Sequence, residues 1–279
     1  MSSERGAGAR GVAWVLNLAA EVELGGGRLS AAAERRMDDV RRSIPLPPGH
    51  RVLGRGEVDT ATGLEGRCWC PTPQALERLT RSGASVPAAP PSSVLHRVNE
   101  RGFAHELRAL PEALRCQDID AIRAATERPG RWLLFRALTF AGRGQRRVDR
   151  GQWSATDESW SRVSLRMGAV YVLPRVEVEL EVSLHGRIEG KELRVGRPTL
   201  SSVDANGQWI SARVSQDELS PQEQTSLQDA FNDAARALRT AGYFGPFGID
   251  AFRHTGGFHP LSEINARYSM GWPVGMGGW

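Results

Sequence analysis

The chain has little cysteine and almost no lysine. Three cysteines in 279 residues, Cys68, Cys70 and Cys116, cannot form an even set of bridges, so a disulfide-stapled secreted scaffold is excluded and a reducing cytoplasm is the expected setting. Cys68-Trp69-Cys70 has no second cysteine pair and the six histidines lack ligand spacing, which argues against zinc. Cys68 and Cys70 read as small core residues on a strand. Lys191 is the single lysine, and the arginines are scattered along the chain. A net charge of +4 and a pI of about 9.4 therefore do not concentrate into a nucleic-acid groove. Pairs such as Arg35-Arg36, Arg41-Arg42 and Arg146-Arg147 read as solvated faces, and no DNA- or RNA-binding motif accompanies them. There is no apolar run of membrane-spanning length, no internal repeat and no low-complexity block. The run Gly11–Ala20 follows Arg5 and Arg10 as a leader would, but Asn17 interrupts it and Glu21 and Glu23 come next, so it reads as a first buried strand.

What is present suits compact α/β and α+β domains, since 40% hydrophobic residues is enough for real cores. Residues 1–10 form a loose terminus. The spacing predicts a strand over Val12–Leu18, a break at Gly25-Gly26-Gly27, a helix over Ser30–Arg42 and a strand near Arg51. A strand over Gly66–Cys70 and a helix over Thr72–Arg81, with Thr72 as cap before Pro73, complete a small α/β layer over residues 11–91. Pro87–Pro91 marks a boundary, and residues 92–279 form the second part. There a helix runs from Val98 to about Ala109, and an apolar strand from Trp132 passes into the glycine-containing loop Gly142-Arg-Gly144 and a return strand ending at Val148. A helix follows over Thr156–Met167, then a strand over Ala169–Leu173. Pro174 separates that strand from another over Glu177–Leu184. Arg187–Arg194 and Gln208–Val214 are further strands, with Asn206-Gly207 a turn before the latter. Ser220-Pro221-Gln-Glu223 opens a helix ending at Gly242.

The most informative stretch is Tyr243–Arg267. Two strand-like segments flank His254-Thr-Gly-Gly257-Phe258, a hairpin signal. If Gly256 and Gly257 make the turn, Asp250 falls opposite Glu263 and Gly248 opposite Asn265. Strand alternation then turns Glu263, Asn265 and Arg267 toward Asp250. Two carboxylates this close need compensation, and a hard cation such as Mg2+ takes oxygen ligands and leaves positions for phosphates. On residues alone, a wet surface hairpin is the other reading.

Asp250 followed by Glu263-Ile-Asn265 and Arg267 resembles the closing motif of the ATP-grasp superfamily. The resemblance is strongest over residues 132–267. It implies an ATP-grasp fold behind a small N-terminal α/β domain of the pre-ATP-grasp kind, with ATP and Mg2+ as cofactors. Asp250, Glu263 and Asn265 would hold Mg2+ on the ATP phosphates, and Arg267 would face the reacting centre. Arg101 stands where the family has a basic phosphate contact. Arg136 stands where the family commonly has the lysine of the α- and β-phosphates, ahead of a phosphate-covering loop that here contains Gly142 and Gly144. Glu181 matches the ribose-binding glutamate, with Glu179 the alternate and a solvated acidic strand face the plainer reading.

The activity implied is that of an ATP-dependent carboxylate–amine ligase. A small-molecule or peptide carboxylate is activated as an acyl phosphate and a nucleophilic co-substrate displaces phosphate, with neither a membrane nor nucleic acid as partner. An ATP-grasp kinase needs the same metal cradle. Arginines in place of lysines also fit a nucleotide-binding protein without turnover. The twelve residues after Arg267, rich in Gly and Trp, leave the site to be completed by that tail, by a partner chain or by a second copy.

Overall fold

The first apolar run becomes β1 (Val12–Val15), buried along its length because parallel neighbours flank both of its edges. The computed structural model describes residues 11–54, 56–140, 143–149, 151–203 and 209–279. The predicted loose terminus, Gly142 and the Asn206-Gly207 turn lie outside them. Two compact units result, one of the chain up to Leu18 with Ser30–Ala89, the other of Ala19–Leu29 with Pro90–Trp279.

In chain order the early elements are β1, α1 (Ala20–Leu24), α2 (Ala31–Ser43), β2 (His50–Val52), β3 (Glu65–Cys68) and α3 (Pro73–Ser82). All but α1 belong to the first unit, a parallel sheet in the order β2-β1-β3. Ala13, Val15, Leu53, Cys68, Ala75 and Leu79 fill its core, so Cys68 has the packing role expected of it. Ser30 and Thr72 cap α2 and α3 through their side chains. Asn17, the polar break in the apolar run, is buried just beyond β1. Its amide donates to the Cys70 carbonyl (2.9 Å) and accepts from the Cys70 N–H (3.1 Å), tying two loop starts together.

The second unit holds α4 (Ser92–Asn99), α5 (Arg101–Leu107), β4 (Leu114–Cys116), α6 (Ile119–Glu127), β5 (Arg131–Phe140), β6 (Arg143–Asp149), α7 (Ala155–Leu165) and β7 (Val170–Pro174). The helix expected from Val98 to Ala109 is in fact two, parted at Glu100, whose backbone is extended. That break sets Arg101 at the start of α5. The sheet order is β4-β7-β5-β6. One of its faces packs Trp132, Leu134, Val170 and Val172 against α6 and α7. The other presents Phe135, Ala137, Tyr171 and Leu173.

The last elements are β8 (Val178–Glu189), β9 (Glu192–Val195), β10 (Thr199–Val203), β11 (Trp209–Val214), α8 (Pro221–Thr240), β12 (Gly245–His254), β13 (Gly257–Asn265) and α9 (Trp272–Met276). The strand expected to end at Leu184 continues to Glu189 and turns at Gly190 into β9, because Leu184, Gly186 and Ile188 prolong one buried face. The sheet order is β11-β10-β8-β12-β13, with β9 also paired to β8. A Ser220/Glu223 capping box starts α8, whose buried stripe of Leu227, Phe231, Ala234 and Leu238 covers one sheet face. Phe231 stacks on Phe247 with centroids 4.6 Å apart.

Gly186 lets that helix close down. A Cβ there would lie 2.4 Å from the Arg194 carbonyl oxygen and 2.6 Å from Phe231 Cζ. Gly186→Val should therefore cost at least about 1–3 kcal/mol, the usual range for overpacking, because a backbone carbonyl cannot rotate away. A urea midpoint no lower than the parent's would contradict this packing.

Candidate functional site

The face of β8, β12 and β13 turned away from α8 carries the polar cluster. Asp250 pairs across the strands with Glu263 on one side and Ser183 on the other, and Gly248 with Asn265 and His185. Asp250 Oδ1 accepts from Ser183 Oγ (2.7 Å) and Oδ2 from Asn265 Nδ2 (2.8 Å). Glu181 lies two residues before Ser183, exposed on the same face and opposite Phe252.

The register expected from the sequence is present, though it arises differently. The turn is Thr255-Gly256, closed by His254 opposite Gly257, one residue earlier than the glycine pair implies. Between the Phe252–His259 and Asp250–Glu263 pairs, residues 260–262 then stand against Ala251 alone, and this bulge restores the register. Pro260 lies in it, where its missing N–H costs no ladder bond.

Arg101 Nη2 donates to Glu263 Oε2 at 3.2 Å and Nη1 to the Ser262 carbonyl at 3.4 Å. Its guanidinium carbon lies 4.1 Å from the Phe135 ring centroid, so the same side chain touches β13 and β5. Asn99, closing α4, accepts from the Ala266 N–H at 2.9 Å and fixes the chain just before Arg267. Arg267 forms an ion pair with Glu21 of α1 through Nε and donates from Nη1 to the Tyr268 carbonyl (3.1 Å). No sequence signal singles out Glu21, 246 residues away.

Burial first, then the Glu263 charge, pushes the Asp250 carboxyl up to about 6, with Glu181 adding to the rise. The Ser183 hydrogen bond and the Arg267 charge pull the other way. Among the described residues no group of three His, Cys, Asp or Glu is arranged to hold a metal. The cluster is two carboxylates and an amide, an oxygen donor set whose remaining positions a substrate's phosphates could fill.

Arg136 is not brought to this cluster. It shares the helix-covered face of β5 with Trp132 and Leu134, where its Nε donates to Ser164 Oγ (3.0 Å) and its guanidinium lies 5.2 Å from the Trp160 ring. Phe135, the next residue back, takes the face that meets Arg101. Gly144 lies on β6 with φ 85°, beside the register break near the β5–β6 turn. A second polar centre went unread in the sequence. His185 Nε2 and Ser269 Oγ are 2.7 Å apart, and burial lowers the His185 pKa to about 4. Together with the Trp272 edge against the His185 ring and the bond from Arg187 to Tyr268 (3.2 Å), this pins the tail after Arg267 to β8.

No family model matches the sequence, and no curated protein does. Solved structures do match. N5-carboxyaminoimidazole synthetase from Staphylococcus aureus, complexed with ADP, is similar at a TM-score of 0.56 and 10% identity, over 93% of this chain and 71% of that one. D-alanyl-alanine synthetase A from Vibrio cholerae gives 0.56 and 11%, over 92% and 88%. Carboxyaminoimidazole ribonucleotide synthase from Aspergillus clavatus, complexed with ATP, gives 0.54 and 15%, over 93% and 70%. This chain has the ATP-grasp fold. Among the described residues no helix is long and apolar enough to cross a membrane.

Proposed function

We propose that this chain is an ATP-dependent ligase that activates a substrate carboxylate as an acyl phosphate for attack by an amine or similar nucleophile. The observation that carries the reading is the convergence of Asp250, Glu263 and Asn265 on one face of an ATP-grasp sheet. The raised Asp250 pKa fits a cation site, because burial and the Glu263 charge disfavour the ionised carboxylate and a divalent ion would offset that cost. Asp250, Glu263 and Asn265 would hold Mg2+, which supplies charge neutralisation on the β- and γ-phosphate oxygens.

The remaining work falls to the chain's own side chains. Arg101 holds Glu263 in place and adds positive charge beside the phosphates. Arg267, whose charge Asp250 feels, stabilises the negative charge of the acyl phosphate and of the tetrahedral adduct that follows. Glu181 accepts from the ribose hydroxyls, and the backbone at Gly144 covers the phosphates. Arg136 has no part in this reading. A carboxylate oxygen attacks the γ-phosphorus and the bond to the ADP oxygen breaks. The amine then attacks the acyl carbon and loses its proton as phosphate departs. Catalysis is by positioning and charge stabilisation, with no Ser, Cys or His nucleophile. The similar solved structures are synthetases, which favours transfer to a second substrate over a kinase that stops at the phosphate. The working place of such an enzyme is the cytoplasm, and its partners are a small-molecule or peptide carboxylate and the nucleophile.

Two measurements test this. Mg·ATP should raise thermal stability more than ATP with a chelator, by about 2.7 kcal/mol at a hundredfold excess over Kd. Equal shifts would count against the cradle. With hydroxylamine as trap, a carboxylate panel should yield a hydroxamate only when Mg·ATP is present. Formation of a stable phosphorylated product without hydroxamate would favour the kinase.

A further inference from the structure

We infer that Glu21 is a positioning residue that holds Arg267 away from the metal-binding acids and aims it at the terminal phosphate, an inference that rests on the nucleotide reading above. Arg267 is one cation within the field of several carboxylates. Asp250 feels its charge, and Glu263 lies opposite Asp250. Left to electrostatics alone, its guanidinium would fold toward that pair and occupy the space a cation needs. Glu21 offers a competing anion on the other side. Its side chain is 5% exposed and that of Arg267 12%, so the pair is held in a poorly screened environment. With Nε on Glu21 and Nη1 on the Tyr268 carbonyl, the guanidinium plane is fixed at two points.

A second observation separates this from an ordinary stabilising pair. Glu21 Oε2 is buried and has no hydrogen-bond partner among the described residues. An unmet buried acceptor is costly, which makes this pair a poorer stabiliser than one with both oxygens satisfied. Placement of α1 is consistent with the same role. Ala19–Leu29 groups with the second unit, although the chain on both sides of it belongs to the first.

The test measures binding of Mg·ADP and of a non-hydrolysable Mg·ATP analogue to the full chain by calorimetry. The parent should prefer the triphosphate. Glu21→Gln should keep its Mg·ADP affinity and lose about tenfold of that preference, the value of one well-placed charged hydrogen bond. Arg267→Ala should lose the same preference, and the double variant should be no worse than Arg267→Ala. Glu21→Asp should recover part of it, and serves as the readout if the Gln variant fails to fold. An unchanged preference in Glu21→Gln overturns the inference, as does a fall in both affinities together with a lower melting temperature, the pattern of a structural pair. Those results leave the nucleotide reading standing. A parent that binds neither nucleotide overturns both.

Discussion

Asp250→Asn should yield a protein that is more stable without ligand at neutral pH and has lost its Mg2+-dependent nucleotide binding. In the folded chain the Asp250 carboxyl is raised from 3.8 to about 6, so the native state holds its proton more tightly than the unfolded state. Stability from this group is fully present below pH 3.8 and is lost as pH rises through about 6. At about 1.4 kcal/mol per pKa unit, ionised Asp250 costs the ligand-free fold on the order of 2–3 kcal/mol. Asparagine removes that cost. Its oxygen still accepts one of the bonds from Ser183 or Asn265. Metal binding runs the opposite way, since a cation must displace the proton. Mg·ATP affinity should therefore fall about tenfold per pH unit below about 6 in the parent and lose that dependence in the variant. Loss of a charged ligand should weaken binding at least a hundredfold, beyond the roughly 10–100-fold typical of removing a group that only supports a ligand. Urea melts across pH and calorimetric titrations check both halves. A variant less stable at neutral pH with unaltered Mg2+ dependence would make Asp250 a structural acid.

Much of this site was legible because strand physics is local. Alternation and a hairpin signal suffice to put Asp250, Glu263 and Asn265 on one face, and they survive an error in the turn because the bulge at 260–262 offsets it. Arg136 shows where the same logic stops. Both faces of β5 are apolar, Trp132 and Leu134 on one and Leu133 and Phe135 on the other, so alternation alone could not tell which face the helices cover. Arg136, a basic residue at the end of an apolar strand, lies on the face that Ser164 and Trp160 of α7 cover, away from the acidic cluster. Glu21 was illegible for another reason. Its partner is far away in sequence, and an acid after a buried strand looks like ordinary punctuation. The His185–Ser269 contact is likewise non-local, and His185 gave no sign of burial inside an otherwise alternating strand.

Arg101 carries the other large effect, because it does three things at once. It bonds Glu263, bonds the Ser262 carbonyl within the bulge, and packs its guanidinium on Phe135. Arg101→Ala leaves Glu263 facing Asp250 without this cation, so the repulsion between the two acids grows in the ligand-free state. With the Arg101 side chain 10% and the Glu263 side chain 33% exposed, solvent screens the pair only in part. The expected loss of stability is about 1–2 kcal/mol, and Mg·ATP affinity should drop roughly tenfold or more as Glu263 loses its orientation and the phosphates lose a charge. Arg101→Lys separates the two roles. A lysine keeps the charge but is a point donor that cannot reach a carboxylate and a carbonyl while lying flat on a ring. Its stability should approach that of the Ala variant while its nucleotide affinity falls between Ala and parent. If Lys matches Ala in affinity, the phosphates do not feel this charge, and Arg101 acts only by holding Glu263. If Ala binds Mg·ATP as the parent does, Arg101 is a strut between β5 and β13 and the nucleotide site lies elsewhere.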